Sequence, residues 1–159
     1  MPVETDYRDG SRGAETVGFE ALLAPVAAEL GCQPLVSLVL CGDDEIAALN
    51  AQWLSHDGPT DVISFPQLEL IPGVPSDELR DGVLLGDIVI SVETAAGQAA
   101  EFDDWSTADE VALLFVHGLL HLCGYDDLSD EARAVMTSRE AEVLTATGRR
   151  PAPGRGGSA

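Results

Sequence analysis

The sequence predicts a single α/β (α+β) domain, a small mixed β-sheet covered by helices, with a metal cleft on a His-x3-His helix. Three observations carry this reading. Two near-continuous apolar runs, Leu35 to Leu40 and Leu84 to Ser91, have the length and composition of core strands. The stretches around them place apolar residues at helical spacing. The chain has 159 residues and a hydrophobic share of 45%, ordinary for one domain with a real core.

The elements follow in order. Residues 1 to 15 show no periodicity and are expected to be a flexible lead-in, with the folded domain over 16–148. Phe19, Leu22, Leu23, Val26 and Leu30 have helical spacing, Pro25 kinks or starts that helix, and Gly31 ends it. After the Leu35–Leu40 strand, Gly42-Asp43-Asp44 supplies a cap for a second helix with Ile46, Leu49 and Trp53 on one face. Asn50 and Leu54 fall off that line. Ser55 to Pro59 is a loop holding His56, read as a surface residue. Asp61 to Phe65, bounded by Pro59 and Pro66, is an edge-type strand. Gln67 to Gly82 is a long loop rich in Pro, Asp and Gly. The strand from Leu84 to Ser91 places Asp87 in a buried pattern, where a structural role is preferred to a catalytic one. Glu93 to Glu101 is a helix of small residues able to pack closely on its neighbour. Ser129 caps a last helix to about Thr147, with Ala132, Val135, Met136 and Val143 inward and Gly148 closing it. The tail over 149–159, with Arg149, Arg150 and Arg155, is expected to be disordered.

Composition excludes several classes. No apolar run approaches the roughly 20 residues needed to span a bilayer. The N-terminus is polar and acidic, unlike a secretory signal, so a cytoplasmic protein is expected. Three cysteines, Cys32, Cys41 and Cys123, with no CxxC spacing, argue for free thiols. The 28 acidic and 8 basic residues, all of the latter Arg, give a formal net charge of -20. Such a charge repels nucleic acid at long range. It fits a high-salt solubility adaptation, or action within an assembly whose other members are basic.

Chemistry concentrates in one stretch. The apolar run Val111 to Val116 leads into His117 and His121, two of the chain's three histidines. Thr107 and Glu110 have capping-box spacing, with Ser106 as a second cap candidate, so a buried helix is expected from about Ala108 to Leu122. Positions i and i+4 share a helix face, so both imidazoles can converge on one point, as in a metal grip. Gly124 lets the chain leave the helix, and Asp127 swings back as a third ligand. The pattern H-x3-H-x2-G-x2-D parallels the metal helix of the metzincins, but Gly118 stands where those proteases carry a catalytic Glu. The alternative is a pair of core histidines satisfied by backbone carbonyls. Gly124, Asp127 and the scarcity of His elsewhere favour metal. Three protein ligands leave a position for water, the layout of a catalytic zinc site, and one Zn²⁺ per chain is expected. Two His and a carboxylate also describe non-haem iron; the helix-turn layout keeps zinc ahead.

These residues carry a resemblance. His117-Gly118-Leu119-Leu120-His121-Leu122-Cys123-Gly124-Tyr125-Asp126 resembles the signature of the YbeY family of metal-dependent endoribonucleases, rRNA maturation factors. Leu49-Asn50 with Pro59-Thr60-Asp61-Val62-Ile63-Ser64-Phe65-Pro66, and Leu85-Gly86-Asp87-Ile88-Val89-Ile90-Ser91, resemble its two earlier blocks, in the family's order. The resemblance implies a zinc-dependent, single-strand-specific endoribonuclease in late small-subunit rRNA processing and ribosome quality control. Its ligands would be His117, His121 and Asp127, its partner ribosomal RNA, and further partner candidates a small-subunit ribosomal protein or an assembly GTPase. Within the family-like block Cys123 is a packing residue. Two departures stand out. Asp127 occupies the position of the family's third His ligand, and Leu54 occupies that of an Arg expected to face phosphate. The general base and the oligomeric state stay open. Two alternatives remain: a non-catalytic, metal-stabilised assembly factor that binds a basic ribosomal protein, and a metalloprotease, which the absence of Glu at 118 disfavours.

Overall fold

The computed structural model describes residues 1–153. Its elements are β1 (Val3–Tyr7), α1 (Phe19–Leu30), β2 (Leu35–Cys41), α2 (Asp43–Leu54), β3 (Val62–Pro66), β4 (Leu84–Ser91), α3 (Val92–Ala99), α4 (Thr107–Leu122) and α5 (Asp130–Ala146). The four-stranded sheet has the order β1-β2-β4-β3. β1, β2 and β4 run parallel, and β3 lies antiparallel to β4 at the free edge. This is the small mixed sheet covered by helices that the sequence predicts.

Side-chain alternation along the strands builds two cores. Val36, Leu38 and Leu40 of β2, with Ile88 and Ile90 of β4, meet the buried faces of α1 and α4. Val39, Cys41, Val89, Ile63 and Phe65 point the other way, toward Ile46 and Leu49 of α2. α4 is the central element. Its residues from Val111 to Leu122 are buried except His117 and His121, and Phe115 meets Phe19 of α1 edge-on with ring centroids 5.0 Å apart. The small residues of α3 pack against it, as their size allows.

Glycines let α4 approach the sheet. A Cβ at Gly118 would meet Ile88 Cγ2 and Ser64 Oγ, each at 3.0 Å, and one at Gly86 would meet Leu122 Cδ2 and the Phe65 carbonyl oxygen, each at 2.6 Å. The helix therefore rests directly on β3 and β4, and its histidines emerge at the sheet's free edge.

Several expectations need correction. The lead-in over 1–15 contains β1, paired to β2 from Val3↔Val36 to Tyr7↔Leu40. Only Val3 of its residues is buried, so it lacks the apolar alternation by which strands are recognised. The cap of α4 is Ser106, in a capping box with Asp109 rather than Thr107 with Glu110. Trp53 is 62% exposed, while Asn50 is buried and donates through Nδ2 to the Gly58 carbonyl at 3.0 Å. Val135 is 50% exposed, and Glu140 and Leu144 take inward places on α5. Asp87 is half-buried in the open groove beside α2, where its carboxylate accepts from Gln67 Nε2 at 3.4 Å.

Two residues of the tail expected to be disordered over 149–159 make defined contacts. Arg149 and Arg150 both pair with Asp109 of the capping box, and the Arg150 guanidinium lies 5.7 Å from the Trp105 ring centroid. Arg155 lies outside the described residues. Among the described residues no helix is long and apolar enough to cross a membrane.

Candidate metal centre

His117 and His121 sit one turn apart on α4 with their Nε2 atoms 3.1 Å from each other. The helix then ends in a glycine-dependent turn. Gly124 has φ +98°, its N–H donates to the His121 carbonyl at 3.0 Å, and Tyr125 N–H donates to the Leu120 carbonyl at 3.1 Å. That pair of bonds reverses the chain. Asp126 Oδ1 accepts from Leu128 N–H at 3.0 Å and is spent on the turn. Asp127 is the carboxylate that returns: Oδ2 lies 3.8 Å from His117 Nε2 and 3.7 Å from His121 Nε2. The structure thus brings His117, His121 and Asp127 together, with ligand atoms within 4.8 Å of one another.

The donor set fits a metal. Tetrahedral zinc with bonds of about 2.0–2.1 Å separates its ligand atoms by roughly 3.3 Å, and the three observed separations lie close to that. Two imidazoles and one carboxylate suit zinc or ferrous iron.

A fourth residue completes the arrangement. Glu140, buried on α5, places Oε2 2.6 Å from His117 Nδ1. This bond fixes the His117 ring so that Nε2 faces the other ligands, the carboxylate–histidine device common behind bound metals. Burial disfavours a charged His117, but the hydrogen bond and charge of Glu140, with Asp127 and Asp61, outweigh it and raise the pKa above the ordinary histidine value. His121 shifts the other way. Burial, then the neighbouring His117, lower its pKa against the pull of Asp127. That direction favours the neutral imidazole, the form able to bind a metal. Glu140→Ala is expected to weaken zinc binding by roughly 10–100-fold, and Glu140→Gln, which keeps an acceptor oxygen, by less. Competition titration against a chromophoric chelator reads this; equal affinity in all three proteins would remove Glu140 from the site.

Glu140 is absent from the sequence reading because α5 is rich in exposed acids. Its signal was positional, since it lies four residues after Met136 and four before Leu144, both buried. Asp61 and Arg133 also line the cleft, beside His117 and Asp127. Leu54, at the end of α2, lines the adjoining part, of about 380 Å³, with both histidines and Asp127. His56 is exposed and outside the group. Cys123 lies at a separate apolar groove with Leu70, Pro72 and Val26, and burial pushes its thiol pKa up to about 12. Position 118 lies close against Ile88 and Ser64 of the sheet, a tight place for any side chain, and it carries no Glu for the protease alternative.

Fold and site define a small α+β domain with a His–His–carboxylate group able to hold a metal at a sheet edge. The family model described as Endoribonuclease YbeY matches residues 14–148. The chain belongs to that family. It is 42% identical over 154 residues to an Endoribonuclease YbeY of Kineococcus radiotolerans, covering 95% of this chain and 87% of the relative. An Endoribonuclease YbeY of Alkaliphilus oremlandii is 49% identical over 111 residues, 70% of each chain. The solution structure of a Thermotoga maritima protein shares the fold, with TM-score 0.55 and 23% identity over 95% of this chain and 99% of that one.

Proposed function

We propose that the protein is a zinc-dependent, single-strand-specific endoribonuclease of the cytoplasm, acting on ribosomal RNA late in small-subunit maturation and in ribosome quality control. The observation that carries this is the convergence of His117, His121 and Asp127 in an open cleft of a chain from an endoribonuclease family. Bound zinc would supply a Lewis acid for a phosphoryl oxygen and an acidified water as nucleophile. The chain's own residues do the rest. Glu140 orients His117, and the Gly124 turn places Asp127. On α4 the carboxylate that lines the cleft is Glu110, whose Oε1 accepts from Trp105 Nε1 at 2.9 Å. Asp61 is the non-ligand carboxylate common to both parts of the cleft, held by Val62 N–H at 2.7 Å and Gln98 Nε2 at 3.3 Å. Accepting the nucleophile's proton falls to it.

The test is hydrolysis of a small-subunit rRNA fragment by zinc-loaded protein, with and without chelator. Chelator-sensitive cleavage supports the reading. Binding without turnover would transfer it to a metal-stabilised assembly factor, which the net charge of -20 would suit for a basic ribosomal protein. Leu54 places an apolar side chain on the cleft wall where a cation would stabilise phosphate charge. Leu54→Arg is therefore expected to raise the cleavage rate by roughly tenfold or more. No gain would show that charge at this wall is not limiting.

A further inference from the structure

The cleft is poor in positive charge. Asp61, Asp127 and Glu140 line it, and Leu54 stands on the wall formed by α2. Among the described residues lining it, one side chain is cationic: Arg133, in the first turn of α5. Its Nη1 donates to the main-chain carbonyl of Asp127 at 3.1 Å, and its Nη2 pairs with Asp130. The Asp130 side chain is 96% exposed, so water and salt screen that pair and leave it weak. A guanidinium has five N–H donors in a rigid fork, and these two bonds leave donors unused. Other arginines are engaged elsewhere: Arg8 with Asp6 and Glu45, Arg139 with Glu29 and Glu142, Arg149 and Arg150 with Asp109.

We infer that Arg133 binds a backbone phosphate of the RNA beside the ligand group. Tethering to the Asp127 carbonyl holds the guanidinium on the same wall as that ligand, so a strand crossing the histidines passes within its reach. Arginine's planar fork matches two phosphate oxygens, which suits a site needing one well-placed cation in an acidic surround. The inference rests on the proposed function, since it takes single-stranded RNA as the occupant.

The experiment measures binding of a labelled single-stranded RNA oligonucleotide to the full chain in chelator, so that turnover cannot interfere, across a salt series. Arg133→Gln is expected to weaken binding roughly tenfold at low salt, equally for unrelated sequences, and to reduce the slope of log affinity against log salt by about 0.7, the loss of one phosphate contact. Arg133→Lys keeps most of the slope. Arg80→Gln, an equal charge change at an exposed position outside the cleft, leaves it unchanged. Adding Leu54→Arg to Arg133→Gln restores the slope from the opposite wall. An unchanged slope in Arg133→Gln overturns the inference while leaving the nuclease reading in place. So does a slope in Arg133→Lys that falls as far as in Arg133→Gln, because the retained cation would then not be what meets the phosphate. Wild-type protein that binds no RNA in chelator also overturns the inference, whereas the nuclease reading stands or falls on chelator-sensitive cleavage.

Discussion

His121→Ala is expected to abolish tight zinc binding and chelator-sensitive RNA cleavage while leaving the fold in place. The imidazole is 26% exposed at the cleft and lies outside the buried apolar core, so its removal leaves the core packing in place. Its neighbours Leu120 and Leu122 hold α4 in its packing regardless. The metal loses one of three protein ligands. If a binding energy of roughly 10–16 kcal/mol is shared among them, one ligand accounts for about 3–5 kcal/mol, or roughly 10²–10⁴-fold in affinity. Thermal unfolding with and without added zinc separates this from damage to the fold. Wild type should gain stability with zinc by mass action, and the variant should unfold at the wild-type metal-free temperature with little response to zinc. A variant that keeps the full zinc-induced shift would show that the ion, if bound, sits elsewhere. His117→Ala is the less clean experiment, because it also strands the buried Glu140 carboxylate.

What could be read from the sequence follows from which signals are local. The i,i+4 spacing of His117 and His121 is a property of one helix, and the histidine pair was legible because its surroundings are apolar. The glycine turn made a returning carboxylate legible, but Asp126 and Asp127 share a side chain, and the preference for Asp127 came from its offset from His117 in the family-like block. Glu140 and Arg133 were not legible. They reach the cleft only because α5 folds back across α4, a tertiary fact with no trace in local periodicity. β1 was missed for a related reason. It is an edge strand whose partner, β2, lies beyond an entire helix, and its outward residues Glu4 to Tyr7 need no apolar alternation. Trp53 shares the helical line of Ile46 and Leu49 yet is exposed, since α2 covers only part of its face of the sheet. The errors therefore cluster at surfaces and inter-element contacts, while the central strands and the metal helix follow from pattern alone.

Gly124→Ala should be the most damaging conservative change in the chain, and a second glycine shows why. Gly124 and Gly148 both follow a helix at positive φ, +98° and +80°. Alanine at either pays the left-handed backbone penalty, about 1–2 kcal/mol. At Gly148 nothing lies within 4 Å of the new Cβ, so the penalty ends there. At Gly124 the new Cβ would stand 2.1 Å from the Leu70 carbonyl oxygen and 2.8 Å from its carbon. Those are backbone atoms of the loop over 67–82, which cannot rotate away as a side chain would. Either that loop or the turn after α4 must move, and the total cost should exceed about 3 kcal/mol. Midpoint temperatures should fall by roughly 10 °C for Gly124→Ala and by about 3–6 °C for Gly148→Ala, at about 3 °C per kcal/mol for a domain of this size. Equal shifts would mean the loop yields freely and that only backbone strain matters. The same displacement carries Asp127 with it, since it lies three residues after Gly124. Zinc affinity should therefore fall in Gly124→Ala and hold in Gly148→Ala, which makes the glycine turn part of the metal site as well as of the fold.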